Sequence, residues 1–103
     1  MHLTISEKAA ALGEVCRRYG VKTLEVFGSA ARGGDFNPDS SDADFLVSFK
    51  RPAVKGPLEE YFGLRDELSA LLDREVDLVE LGAVHNPYVL GSINRSRELV
   101  YAS

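Results

Sequence analysis

A short apolar run that ends on Gly28-Ser29, and a second that opens on Asp42-Ala43-Asp44, constrain this chain more than any other feature. Residues 23–27 read as a strand, and Gly28 stops it. Residues 44–49 read as a second strand. In a strand, residues two apart share a face, about 6.5–7 Å apart along the chain. Asp42 and Asp44 are therefore expected to project together at the strand's start. Phe45, Val47 and Phe49 take the opposite face and must be buried. The chain has to carry two carboxylates on one side of a sheet whose other side is core.

The remaining elements follow from periodicity. Ile5, Ala9, Leu12, Cys16 and Tyr19 recur at alternating spacings of four and three, which predicts an N-terminal helix. Thr4 is its expected cap, Glu7 the capping-box partner and Gly20 its end. Residues 30–32 suit a single helical turn with Ser29 as N-cap. Residues 33–41 are rich in Gly, Asp, Asn, Pro and Ser and read as loop, as do residues 50–56. Pro57 opens a helix with Leu58, Tyr61, Phe62, Arg65, Leu68, Leu71 and Leu72 on its apolar face, running to about Asp73. Gly63 weakens that helix locally. Residues 75–81 predict a third strand. Asn86-Pro87 predicts the start of a short helix with Val89, Leu90 and Ile93 inward, and residues 98–101 an edge strand.

Residues 33–41 can join the first two strands as a long hairpin. The expected fold class is therefore α/β (α+β), a small mixed β-sheet with helices packed on it. A length of 103 residues suits one domain, 1–103. The formal net charge of −4 argues against a protein that coats nucleic acid, since phosphate binding relies on basic patches. Cys16 is the only cysteine, so no internal disulfide forms, and its place on the helix stripe points to core packing. The first residues lack a signal-peptide layout and no apolar run approaches a membrane span, so a cytoplasmic location is expected.

The chemistry lies in the carboxylates and the turn. Two carboxylates this close repel unless a positive charge lies between them. Magnesium suits the position, because it prefers oxygen ligands and uses one or two carboxylates plus substrate phosphates. Asp77, flanked by Val76 and Leu78, is the best third carboxylate. Three carboxylates can hold two metal ions about 3.5–4 Å apart, which clamps the attacking and leaving oxygens of phosphoryl or nucleotidyl transfer. Gly28 lets the backbone approach a ligand closely. The amides of Ser29 and Ala30 and the Ser29 hydroxyl can donate to phosphate, and Arg32 adds a fork of donors. His85 has no second histidine or cysteine nearby and is not expected to bind metal. Tyr88 and Tyr101 read as packing or interface residues, and Arg95-Ser96-Arg97 as a solvated turn.

At these residues the chain resembles the nucleotidyltransferase superfamily that includes DNA polymerase β and the antibiotic nucleotidyltransferases. Gly28-Ser29, Asp42-Ala43-Asp44 and Asp77 match its Gly-Ser turn, Asp-x-Asp pair and later carboxylate. The wording Gly-Ser-Ala-Ala-Arg-Gly, then Ser-Asp-Ala-Asp-Phe-Leu-Val, is most similar to the minimal nucleotidyltransferases, the MntA-like antitoxins. The resemblance implies the polymerase β palm-like fold over nearly the whole chain. It also implies transfer of AMP from ATP to a tyrosine of a partner HEPN-domain ribonuclease toxin, with which the chain would form a hetero-oligomer. By that likeness Asp42, Asp44 and Asp77 ligate Mg2+, two ions in all, and Asp77 helps deprotonate the attacking hydroxyl. Gly28, Ser29 and Arg32 hold the triphosphate. Twelve residues separate Ser29 from Asp42, more than is usual for the group, and Gly33-Gly34 and Asn37-Pro38 absorb the excess.

Three other functions compete. An antitoxin acting by binding and sequestration needs no turnover, and the apolar faces of the two longer helices would serve it. Nucleotidyl transfer to a small molecule needs acceptor-binding structure for which this chain has little room. A polymerase needs a basic groove or clamp that is not readable here.

Overall fold

The computed structural model describes residues 3–32, 42–50 and 56–103, with the backbone alone for Ser29 and Arg32. The expected loop over residues 33–41, most of the loop over residues 50–56, and the length-absorbing Gly33-Gly34 and Asn37-Pro38 lie outside the described residues.

The elements are α1 (Leu3–Ser6), α2 (Ala9–Arg18), β1 (Val21–Phe27), α3 (Ser29–Arg32), β2 (Ala43–Phe49) and α4 (Pro57–Leu72), then β3 (Val76–Glu80), a 3-10 turn (Leu81–Ala83), α5 (Pro87–Asn94) and β4 (Glu98–Ala102). The four strands form one sheet in the order β3-β2-β1-β4. β1 runs antiparallel to both β2 and β4, whereas β2 and β3 are parallel. The sheet is therefore mixed, as the sequence implies, and β4 is its edge strand. The parallel pair is connected through α4, because parallel neighbours need a crossover.

Strand alternation decides the layers. Leu24 and Val26 of β1 pair with Val47 and Phe45 of β2, and Phe45 pairs with Leu78 of β3. All five are buried and share one sheet face. Leu12, Val15 and Cys16 of α2 and Leu64, Leu68 and Leu72 of α4 join them in one apolar cluster. Leu46 and Ile93 are also buried but stand apart from that cluster. They belong to the opposite face, over which α5 lies.

Several sequence expectations shift. The N-terminal helix is broken by a turn at residues 7–8, so Thr4 sits inside α1 and does not cap a long helix. Ile5, Leu12 and Cys16 are fully buried, but the break leaves Ala9 exposed. Gly20 ends the segment as expected, at a φ of 67°. Ser29 is the first residue of α3 and does not precede it. On α4 the buried line is Glu60, Leu64, Leu68 and Leu72, spaced by four. Leu58 and Phe62, assigned inward from sequence, are exposed. Phe62 instead stacks edge-on with Tyr61, ring centroids 5.1 Å apart, and carries the Arg65 guanidinium 4.9 Å from its own centroid. Asn86 caps α5 as expected, its side chain accepting from the Tyr88 amide at 2.9 Å. Of the three α5 residues expected inward, Ile93 is buried, Leu90 is half-buried and Val89 is exposed.

Gly63 has a packing reason. A Cβ there would stand 2.5 Å from Tyr19 Cε1 and 3.0 Å from its Cζ. The Tyr19 phenol is held by a hydrogen bond to Glu67, which also pushes its pKa up. Gly63→Ala is expected to destabilise the protein by ~1–3 kcal/mol through overpacking, despite the better helix propensity of alanine. Gly91, inside α5, has nothing within 4 Å of its would-be Cβ. Gly91→Ala is expected to add ~0.5–1 kcal/mol. Urea unfolding of both variants checks the contrast in sign.

Cys16 is packed as the stripe requires. Burial pushes its thiol up to about 12 from an ordinary 9.0, against a smaller lowering by Arg17. The folded state thus keeps a proton that the unfolded chain releases first. This contribution is intact below about pH 9 and is lost as pH rises towards about 12. An alkylating reagent at pH 8 should leave Cys16 unlabelled in the native protein and label it fully in denaturant.

Candidate active site

Sheet register brings the second and third carboxylates together. Asp44 of β2 lies directly opposite Asp77 of β3, and the same residue is opposite Phe27 of β1. Adjacent strands are about 4.8 Å apart, and paired residues on one face point the same way. The buried neighbours Phe45, Val76 and Leu78 face the core, which turns Asp44 and Asp77 to the other side. Asp77 is exposed and Asp44 half-buried.

Gly28 completes this corner. It follows Phe27 at a φ of 69°, a backbone conformation that side chains rarely adopt. A Cβ on it would stand 2.6 Å from Asp44 Oδ2. Glycine is needed here twice, for its dihedral and for the approach of the Asp44 carboxylate. The short α3 begins at the next residue, Ser29, and the Ala31 amide donates to the Gly28 carbonyl at 3.1 Å.

These groups open into a cavity of about 590 Å3 lined by Phe27, Gly28, Asp44 and Asp77 on one side and by Val89, Ser92, Ile93 and Ser96 on the other. The first group belongs to the sheet and its turn. The second is one face of α5 and the turn after it. A larger hollow of about 840 Å3, which includes Lys22, Lys50 and Glu80 in its lining, contains none of the candidate site residues.

The predicted residues are thus brought together unequally. Gly28, Asp44 and Asp77 share one cavity. Asp42 is exposed, precedes β2 and does not line that cavity. The strand is held at this point by the Ala43 amide, which donates to the Glu75 carbonyl at 3.1 Å. Among the described residues, no three His, Cys, Asp or Glu side chains are grouped as a metal cage. Two parallel carboxylates fit a divalent cation that takes its remaining oxygens from substrate phosphates and water. The side chains of Ser29 and Arg32 lie outside the described residues.

Ser92 and Ser96 also line the cavity, and no sequence motif marks them. Ser96 lies in the stretch that reads from sequence as a solvated turn, yet its hydroxyl accepts the Gly28 amide at 2.9 Å. Arg97 of the same stretch is paired with Glu25 on β1. The available signal was the spacing of residues 89, 92, 93 and 96, which places them on one helical face.

Comparison with known proteins settles the family. A family model described as a nucleotidyltransferase domain matches residues 9–100. The chain belongs to the nucleotidyltransferase domain family. Within that family, it is 38% identical over 88 residues to the provisionally named protein adenylyltransferase MJ0126 of Methanocaldococcus jannaschii, covering 85% of this chain and 83% of that one. A solved structure provisionally described as a minimal nucleotidyltransferase superposes with a TM-score of 0.74 at 30% identity, covering 95% of each chain. The structure of a tri-AMPylated Shewanella oneidensis HEPN toxin in complex with an MNT antitoxin contains a chain that superposes with a TM-score of 0.65 at 16% identity. That alignment covers 96% of this chain and 73% of that one, and shows a shared fold. The protein is therefore a nucleotidyltransferase with the α/β fold of the minimal members of its family. Among the described residues no helix is long and apolar enough to cross a membrane.

Proposed function

We propose that this nucleotidyltransferase is a magnesium-dependent protein adenylyltransferase, an antitoxin that moves AMP from ATP to a tyrosine of a HEPN-domain toxin. The observation that carries the reading is the register of Asp44 on Asp77, with Gly28 packed against Asp44. Relatives named as protein adenylyltransferases and a fold shared with an antitoxin bound to an AMPylated toxin support the acceptor class.

In this reading the chain is one catalytic domain, acts in the cytoplasm, and forms a hetero-oligomer with the toxin that supplies the acceptor. Asp42, Asp44 and Asp77 hold Mg2+. When bound, magnesium would supply positive charge against the phosphate oxygens and the charge that develops on them during transfer. Gly28, Ser29 and Arg32 hold the triphosphate, the first two through the turn and the last through its guanidinium. The tyrosine oxygen attacks the α-phosphorus as its proton passes to Asp77. The bond to the β-phosphate oxygen breaks, and pyrophosphate leaves.

Cellular neutralisation of the toxin tests enzyme against sequestration. The enzyme reading expects the Asp42→Ala, Asp44→Ala double variant to bind the toxin and fail to silence it. A double variant that silences the toxin as well as the wild type does contradicts the reading.

A further inference from the structure

We propose that Ser96 is a positioning residue for the phosphate-holding turn, acting by fixing the Gly28 amide. The inference rests on reading Gly28-Ser29 as that turn. It adds a residue from the far end of the chain that the family motifs do not include.

The Gly28 amide donates to Ser96 Oγ at 2.9 Å across 68 residues of sequence. Gly28 is the pivot of the turn, because its positive φ reverses the backbone between β1 and α3. A peptide plane at such a pivot rotates about the bonds on either side. Its N–H belongs to the Phe27–Gly28 peptide, so the bond to Ser96 fixes the plane from which the dihedrals of Gly28 then aim the following amides of Ser29 and Ala30. Ser96 lines the same cavity as Asp44 and Asp77, so the fixed turn and the carboxylates share one space.

The acceptor is itself held firmly. The amides of Ser96 and Arg97 both donate to the Ile93 carbonyl, at 3.1 and 3.0 Å, and Ile93 is buried. The Arg97 guanidinium donates to both carboxylate oxygens of Glu25 on β1 and to Asn94 Oδ1, the last at 2.7 Å. Glu25 precedes Gly28 by only three residues. The clamp and the turn it holds are thus tied to the same strand, so Ser96 keeps its place relative to Gly28. A bidentate arginine–carboxylate pair suits this task, since it fixes orientation as well as distance.

Serine is suited to the position because its hydroxyl accepts the amide and retains a proton of its own. Alanine removes the acceptor and leaves the fold's apolar contacts intact. Threonine restores it.

The test uses the whole chain and reads three quantities for wild type, Ser96→Ala and Ser96→Thr. They are hydrogen exchange of the Gly28 amide by NMR, equilibrium binding of ATP with magnesium, and the split between KM and kcat in AMP transfer. Ser96→Ala is expected to speed Gly28 exchange about tenfold or more. It should weaken ATP, as Kd and KM, by about three- to tenfold, with kcat changed less than about twofold. Ser96→Thr should return both to near the wild-type values. Unchanged Gly28 exchange in Ser96→Ala overturns the proposal, as does a fall in kcat with KM unchanged. Failure of threonine to rescue does the same. A wild-type protein with a protected Gly28 amide that neither binds ATP nor transfers AMP overturns the functional reading instead, and the exchange measurement keeps the two failures apart.

Discussion

Asp44→Asn is expected to reduce nucleotidyl transfer on the order of a thousandfold or more while leaving the unfolding midpoint close to that of the wild type. The substitution keeps the shape of the side chain and removes its charge. Asp44 stands opposite Asp77 on the neighbouring parallel strand and lines the same cavity, and in the proposed reading it is one of the three carboxylates that would hold the cation. The sheet itself is held by the backbone ladder and by Phe45, Val47 and Leu78 on the other face, none of which the change touches. A steady-state transfer assay paired with thermal unfolding separates the two effects. Loss of activity with little change in stability is the expected pattern.

Gly28→Ala should produce a loss of both kinds. Its φ of 69° costs a side-chain-bearing residue about 1–2 kcal/mol. Its Cβ would stand 2.6 Å from Asp44 Oδ2, so the carboxylate must move. A displacement of about 1 Å at a reacting group costs about a hundredfold in rate. The variant should therefore unfold at lower denaturant and transfer AMP about a hundred times more slowly. Asp44→Asn and Gly28→Ala together should lose far less than the product of the two rate losses. Both act on one carboxylate, and coupled sites do not add.

These two positions show what a sequence of this kind discloses. The period of two in residues 44–49 assigns Phe45 and Val47 inward and Asp44 outward, and the burial of the strand agrees. The same logic turns Asp77 away from Val76 and Leu78. The register of Asp44 on Asp77 is not readable from either strand alone. It needs the parallel pairing made by the α4 crossover. Helix faces are less plain in the chain. On α4 the aromatic residues Tyr61 and Phe62 draw the apparent apolar face to one side. The actual line runs through the buried Glu60 and through Leu64, which spacing by four would have found. The break at residues 7–8 carries no proline or glycine, so nothing in the local sequence signals it.

Ser96 marks the limit more sharply. An Arg-Ser-Arg turn has the composition of a solvated loop, and only tertiary contact changes that reading. One bond spans 68 residues to Gly28 and the neighbouring ion pair spans 72 to Glu25. Contacts of this reach have no periodic signature in the chain. The apolar half of the cavity was partly legible, because Asn86-Pro87 predicts α5 and its period predicts Ile93 inward. That α5 lies over the carboxylate face follows from the mixed topology, which leaves that face without α2 or α4.

The most direct test is the intact mass of a HEPN-domain protein encoded beside this one, after incubation with ATP, magnesium and either wild type or the Asp42→Ala, Asp44→Ala variant. The account predicts that wild type adds one or more adenylyl groups to a tyrosine of that partner and that the variant adds none. An unmodified partner under every nucleotide tried, or equal modification by the variant, would contradict it.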